Sequence, residues 1–139
     1  MTSVGGFCEL GHVRILIVDD YEFWRYCVAS MLKEYPEFEI VGEGSDGLDA
    51  IEMSAELRPD IVLLDIGLPV LNGFEAAREI RKVSPGSSIV FLTQTCNDDL
   101  VNEALRVGAQ GYVSKMDAAS ELVPAIKAAL ANKRPRPDR

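Results

Sequence analysis

The chain has 139 residues, the size of one domain, and with 47% hydrophobic and 26% charged residues it can bury a core. Fourteen basic and twenty-two acidic residues give a formal net charge of −8, so we expect no direct binding of nucleic acid. No apolar run approaches the roughly 20 residues that cross a bilayer, and the N-terminus lacks the pattern of a secretory signal. Three cysteines without metal-ligand spacing fit a reducing compartment, so we expect a cytoplasmic protein without a membrane partner.

Short apolar runs alternate with segments of helical period along the chain. The runs predict five strands, β1 to β5, over Arg14–Val18, Phe38–Gly42, Ile61–Leu64, Ser88–Leu92 and Gly111–Ser114. Their apolar residues are consecutive, which is typical of strands buried on both faces of a parallel sheet. Apolar residues at helical spacing predict five helices, α1 to α5, over Trp24–Tyr35, Ala50–Leu57, Phe74–Ile80, Val101–Gly108 and Leu122–Leu130. Five strand–helix units predict an α/β fold with a doubly wound, five-stranded parallel sheet.

Polar side chains follow the predicted strands, at the edge of the sheet where a doubly wound fold places its ligand site. The residues after β1, β3, β4 and β5 are, in chain order, Asp19 and Asp20, Asp65, Thr93, and Lys115. We expect three carboxylates to meet at this edge, and a hard divalent cation would relieve their repulsion. Mg²⁺ suits such oxygen ligands, and an adjacent ammonium and hydroxyl suit a phosphoryl group. The pattern therefore indicates a carboxylate that attacks phosphorus and holds an aspartyl phosphate.

Each of these residues also has a structural interpretation when it is taken alone. Asp19 or Asp20 could cap the helix that follows β1, Thr93 could be a turn residue, and Lys115 could be a solvated surface side chain. Asp65 is harder to explain in this way, because a charge directly after a buried strand needs a partner. Four strand ends with complementary chemistry indicate a functional site more strongly than any single residue does.

These motifs resemble the receiver domain of bacterial two-component response regulators. The resemblance rests on Arg14–Asp20, Pro59–Gly73, Phe91–Thr93 and Gly111–Lys115. The Leu68–Gly73 loop and the helix after it are similar to those of receivers that precede helix-turn-helix output domains. The resemblance implies a (βα)5 flavodoxin-like three-layer sandwich with strand order 2-1-3-4-5.

The same resemblance divides the chain into three parts. The receiver domain is expected over residues 13–131. Residues 1–12 would form an N-terminal extension, and residues 132–139 a basic, proline-containing tail or the start of a linker.

The resemblance implies that Asp65 accepts a phosphoryl group from a sensor histidine kinase or a histidine phosphotransfer protein. Mg²⁺, with Mn²⁺ as a substitute, would be bound by Asp20, Asp65 and the backbone carbonyl of Gly67. Asp19 would bind the ion through water, and Lys115 would pair with a phosphate oxygen.

A switch is implied as well. The hydroxyl of Thr93 would turn toward the phosphoryl group, and Tyr112 would move inward behind it, so that the α4–β5–α5 surface changes. That surface would control an output domain or a partner, or a homodimer would form through α4–β5–α5 or through α1 and α5. The chain would be a signalling protein rather than an enzyme, catalysing only its own phosphotransfer and autodephosphorylation.

Three residues depart from the pattern that such receivers usually have. Gln94 follows Thr93 where a small residue is usual, and we expect it to alter the lifetime of the phosphorylated state. Met116 follows Lys115 where proline is frequent; a cis peptide without proline costs ~2.5–4 kcal/mol, so a trans peptide would aim the lysine differently. Gly67 leaves its flank of the site without a side chain.

Other classes of function fit the sequence less well. A haloacid-dehalogenase-type phosphatase also uses an aspartate with Mg²⁺, but it needs a second acid where this chain has Gly67. A nucleotide or flavin binder needs a phosphate-binding loop where this chain has Asp19 and Asp20. The main alternative is a receiver-like interaction domain that acts without phosphorylation.

Trp24, the one tryptophan, is expected to be an anchor in the core or at the rim, where its fluorescence would report metal binding if the acidic residues are close.

Overall fold

A computed structural model of the chain describes residues 12–94 and 97–132. Almost all of the N-terminal extension and tail predicted at 1–12 and 132–139 lies outside these described residues. Strands and α-helices alternate as β1 (Val13–Val18), α1 (Glu22–Lys33), β2 (Phe38–Gly44), α2 (Gly47–Leu57), β3 (Ile61–Leu64), α3 (Gly73–Val83), β4 (Ser88–Thr93), α4 (Asp98–Arg106), β5 (Gly111–Ser114) and α5 (Ala118–Ala131). A short 3-10 helix, Lys115–Asp117, links β5 to α5. None of the helices described is long and apolar enough to cross a membrane.

All five strands are parallel and lie in the order β2-β1-β3-β4-β5. The predicted doubly wound fold and its strand order are therefore confirmed. The helix ends differ by a few residues from the predicted ones. α1 ends at Lys33 rather than at Tyr35, because Pro36 disfavours a helical conformation of the residue before it. Tyr35 instead packs its ring 5.6 Å from that of Phe38.

Helices cover both faces of the sheet, which accounts for the consecutive apolar residues of its strands. On one face Ile15 and Leu63 are buried beneath α1 and α5. On the other face Leu16 and Phe91 are buried beneath α2, α3 and α4. With both faces covered, a doubly wound sheet offers its ligand site at the ends of the strands.

Gly73 brings the start of α3 directly onto the end of β3. Its N–H donates to the carbonyl of Ile66 at 2.7 Å, and a Cβ atom at this position would collide with the backbone carbonyl of Asp65. Asn72 and Glu75 form a capping box that fixes the first turn of the helix. The backbone that carries Asp65 is thereby held between the sheet and α3.

Candidate functional site

The carboxyl ends of the strands surround a cavity of about 580 Å³. Seven of the eight site residues predicted from the sequence line it: Asp19, Asp20, Asp65, Gly67, Thr93, Gln94 and Lys115. The cavity lies at the edge where the doubly wound fold predicts a ligand.

Backbone pairing brings the three carboxylates together. The N–H of Asp19 donates to Gly44 of β2 at 3.0 Å, and the N–H of Asp65 donates to Val18 of β1 at 3.1 Å. One carboxylate oxygen from each of Asp19, Asp20 and Asp65 lies within 4.8 Å of the others. Asp19 and Asp65 are buried, whereas Asp20 is exposed. Such crowding of like charges in a partly buried place calls for a compensating cation.

Among the residues that the structure describes, Lys115 supplies the one ammonium group that lines the cavity. Its Nζ lies 2.6 Å from Oδ2 of Asp19 and 3.8 Å from Oδ2 of Asp65. Its side chain is 12% exposed and lies over the ring of Trp24, with Nζ 5.4 Å from the ring centroid. One ammonium against three carboxylates leaves two negative charges unbalanced among the side chains that line the cavity.

The ionisation of Asp65 reflects this crowding. Burial raises the pKa of the Asp65 carboxyl above its ordinary value, and the nearby Lys115 ammonium lowers it. The charges of Asp19 and Asp20 raise this pKa, while a hydrogen bond with the backbone of Ile66 lowers it. The net shift is upward, so the fold without a cation disfavours the ionised form of Asp65.

A hard divalent cation fits this donor set. Carboxylate oxygens are the ligands that Mg²⁺ prefers, and a cation would favour the ionised form of Asp65, which burial disfavours. Gly67 is exposed beside the carboxylates, and a side chain there would meet no atom within 4 Å. The flank at Gly67 is therefore open, as its lack of a side chain predicts.

Neither of the first two aspartates caps α1. The helix has Tyr21 as its N-cap residue, and no side chain caps it there. Asp19 instead uses both carboxylate oxygens: Oδ1 accepts from the N–H of Tyr21 at 2.9 Å, and Oδ2 pairs with Lys115. Asp19 thus joins the start of α1 to the cavity.

Thr93 and Gln94 lie at the end of β4, with Thr93 buried and Gln94 exposed at the cavity. Tyr112 is the predicted site residue that does not line the cavity. It is half-buried opposite Phe91 in the sheet, with ring centroids 6.5 Å apart.

The structure has no cis peptide within the described residues, so the bond between Lys115 and Met116 is trans.

Sequence reasoning missed three residues that line the cavity: Tyr21, Ile66 and Leu100. Tyr21 and Ile66 directly follow acidic site residues, and this adjacency is a signal that could have found them. Leu100 lies in the first turn of α4, and its position depends on how that helix packs on the sheet.

Residues 15–127 match the family described as the response regulator receiver domain. The chain is 35% identical over 117 residues to the transcriptional regulatory protein LiaR of Bacillus subtilis, and the match covers 84% of this chain and 56% of LiaR. It is 37% identical over 119 residues to the chemotaxis protein CheY of Halobacterium salinarum, with 81% of this chain and 98% of CheY covered. The chain thus spans about half the length of LiaR and nearly all of that CheY.

Solved structures of response regulators are also similar to the chain. A LuxR-family two-component response regulator from Aurantimonas sp. SI85-9A1 superposes with a TM-score of 0.83 and 35% identity, covering 88% of each chain. The response regulator domain of Thermotoga maritima CheB superposes with a TM-score of 0.82 and 30% identity, covering 88% of this chain and 99% of that one. The fold, the acidic edge and these likenesses agree with the motifs of the sequence, and the chain belongs to the family of response regulator receiver domains.

Proposed function

We propose that the chain is the phosphoacceptor of a two-component signalling system and that Asp65 is the residue phosphorylated. A carboxylate oxygen of Asp65 would attack the phosphorus of a phosphohistidine on a sensor histidine kinase or a histidine phosphotransfer protein. An O–P bond forms as the P–N bond breaks, and the imidazole nitrogen keeps the electron pair and takes up a proton. The observation that carries the proposal is the meeting of Asp65 with two further carboxylates and Lys115 at the strand ends.

Asp20, Asp65 and the backbone carbonyl of Gly67 would bind Mg²⁺, or Mn²⁺ in its place, with Asp19 acting through water. The bound cation supplies positive charge that favours ionised Asp65 and offsets the charge of the phosphoryl oxygens. The oxygen donors and the two unbalanced negative charges of the cavity support this assignment. The open flank at Gly67 leaves room for the phosphoryl donor to approach.

Lys115 and Thr93 would hold the transferred group. The Lys115 ammonium would exchange its contact with Asp19 for a phosphate oxygen, and the Thr93 hydroxyl would donate to another oxygen. The added charge of about −1.5 to −2 would draw both groups inward. Tyr112, packed on the neighbouring strand, would follow Thr93, and the surface of α4, β5 and α5 would change. The chain would catalyse only its own phosphorylation and dephosphorylation.

The changed surface would act on an output domain, on a partner protein, or on a second copy through α4–β5–α5 or through α1 and α5. LiaR is named a transcriptional regulatory protein, and the match covers about half of it. We therefore place this receiver, over residues 13–131, in transcriptional control. Its net charge of −8 argues against contact with nucleic acid by the chain itself. Cys27 is a free thiol, which fits the cytoplasm.

Mass spectrometry of the intact chain tests the proposal after incubation with phosphoramidate and Mg²⁺. We expect a gain of one phosphoryl group that requires Mg²⁺ and is absent in Asp65→Asn. Asp60→Asn is the matched control, because Asp60 lies at the other end of β3, where it accepts from the N–H of Arg14. No gain with phosphoramidate or with acetyl phosphate would contradict the proposal and favour a receiver-like interaction domain that acts without phosphorylation.

A further inference from the structure

We propose that Trp24 is a positioning residue for Lys115, holding its ammonium group where it can reach a phosphoryl group on Asp65. This inference rests on the proposed function. Trp24 lies in the first turn of α1, and it is not one of the residues that line the cavity. Its role would be exerted through Lys115 alone.

The ammonium of Lys115 is close to an aromatic face and to two carboxylates. Nζ is 5.4 Å from the centroid of the Trp24 ring, within the distance at which a cation is attracted to an aromatic face. From the same Nζ, Oδ2 of Asp19 lies at 2.6 Å and Oδ2 of Asp65 at 3.8 Å. Water screens this attraction weakly, because the lysine side chain is largely buried. The ring therefore limits how far the ammonium can move away from the carboxylates.

The 3-10 helix that begins at Lys115 fixes the backbone of this residue but not its long side chain. The residue after it, Met116, is 89% exposed, and unlike a proline it does not restrict the conformation of the residue before it. Lysine has a flexible four-carbon stem. A fixed position for its ammonium therefore depends on groups that surround the side chain, and Trp24 and Asp19 are two of these.

The polar atom of Trp24 does not explain why the ring lies there. Nε1 is buried and finds no hydrogen-bond partner among the residues that the structure describes, although a buried indole N–H usually has one. The ring packs beside the core between the sheet and α1 and α5. Since α1 is tied to the end of β1 by a hydrogen bond from the Arg25 guanidinium to the carbonyl of Asp19, Trp24 and Asp19 are both held close to Lys115.

Two substitutions separate the aromatic face from the rest of the side chain. Trp24→Phe keeps an aromatic face and Trp24→Leu removes it, while both lose an N–H that has no partner among the described residues. With phosphoramidate at saturating Mg²⁺, we expect phosphorylation to be about five- to tenfold slower in Trp24→Leu and within about twofold of the wild type in Trp24→Phe. The Mg²⁺ concentration at half-saturation should stay the same in all three proteins.

A double-mutant cycle with Lys115→Met tests whether Trp24 acts through the lysine. We expect Trp24→Leu to have no further effect on the rate once Lys115→Met is present. An equal slowing in both backgrounds, or no slowing in Trp24→Leu alone, would overturn the inference.

A spectroscopic measurement on unphosphorylated protein keeps this inference separate from the proposed function. The ring current of Trp24 should shift the Hε protons of Lys115 upfield in NMR spectra of the wild type, and Trp24→Leu should abolish that shift. Failure of the wild type to accept a phosphoryl group would refute the proposed function. An unshifted Lys115 signal in the wild type would refute the positioning of the lysine by Trp24.

Discussion

Polar groups are paired with partners at one end of the sheet and crowded with like charges at the other. At the amino ends of the strands, the guanidinium of Arg14 donates to the carbonyl of Leu57, and the hydroxyl of Ser87 donates to the carbonyl of Pro59. At the carboxyl ends, three carboxylates meet, and one ammonium group pairs with two of them. The first arrangement satisfies buried polar groups and stabilises the fold. The second carries unbalanced charge, which a fold alone does not need and a ligand would relieve.

Substitutions at the two ends of the sheet should therefore have different consequences. A change at the amino ends should alter the free energy of unfolding and leave phosphorylation intact. Replacing Asp65 at the carboxyl ends should alter phosphorylation, with a small or even favourable effect on the stability of the metal-free protein.

The largest effect is expected from Lys115→Met. Removing the ammonium takes away the one positive side chain among the described residues that line the cavity, and phosphorylation by phosphoramidate should become about 100-fold slower. Lys127→Met is the matched control, since Lys127 also lies over an aromatic ring, that of Tyr35, but on the exposed side of α5. Equal rates for the wild type and Lys115→Met would remove the distinction between the two ends.

Ser87→Ala should lower the free energy of unfolding by about 1–3 kcal/mol, because it leaves a buried carbonyl without its donor. The Ser87 hydroxyl lies 2.5 Å from the carbonyl oxygen of Pro59 and 2.7 Å from the hydroxyl of Ser84. Urea unfolding measures the loss, and Ser30→Ala on the exposed side of α1 serves as the control. A slower phosphorylation rate in folded Ser87→Ala would show that the two ends are not independent.

Asp65 should make the metal-free protein less stable as pH rises. Burial raises its pKa above the ordinary value, so between these two values the folded protein binds more protons than the unfolded chain. The free energy of unfolding therefore falls as pH increases through this window and stays lower above it. Asp65→Asn should remove this dependence and make the metal-free protein more stable than the wild type at neutral pH. Urea unfolding with EDTA at several pH values measures the pH dependence and the stability of the variant. An Asp65→Asn protein that is less stable than the wild type at neutral pH would contradict the expected upward shift of the Asp65 pKa.

The smallest effect is expected at Gln94, an uncharged residue that is exposed at the cavity. We expect its amide to limit access of water, so Gln94→Ala should shorten the half-life of the phosphorylated protein by about threefold. Decay of the phosphorylated form, followed by mass spectrometry, measures this, with Asn102→Ala on the exposed side of α4 as the control. An unchanged or longer half-life would contradict the shielding role.

Much of the fold follows from local patterns in the sequence. Consecutive apolar residues such as Ile61–Leu64 predict a strand buried on both faces, and the structure places this strand in the middle of the sheet. The rule that ligands bind at the carboxyl ends of doubly wound strands then selects the residue after each strand. The cavity was predictable for this reason, because each of its main side chains is one or two residues from a strand end.

Other features depend on packing between distant segments. Periodicity places α5 over Leu122–Leu130, whereas the helix begins at Ala118 and contains Pro124 in its interior, where proline is usually excluded. Val70 has a φ of 72°, a conformation that a β-branched residue rarely adopts and that no local pattern indicates. The ring of Trp24 reaches Lys115 only because α1 packs against the end of β1. Contacts of this kind need the assembled fold.

The central claim is that the acidic edge accepts a phosphoryl group on Asp65, and borohydride trapping tests it most directly. The reagent reduces an aspartyl phosphate to homoserine, which peptide mass spectrometry can assign to a single residue. After treatment with phosphoramidate and Mg²⁺, we predict homoserine at position 65 alone. Conversion at Asp19 or Asp20 instead, or a phosphoryl group that resists reduction, would contradict the account.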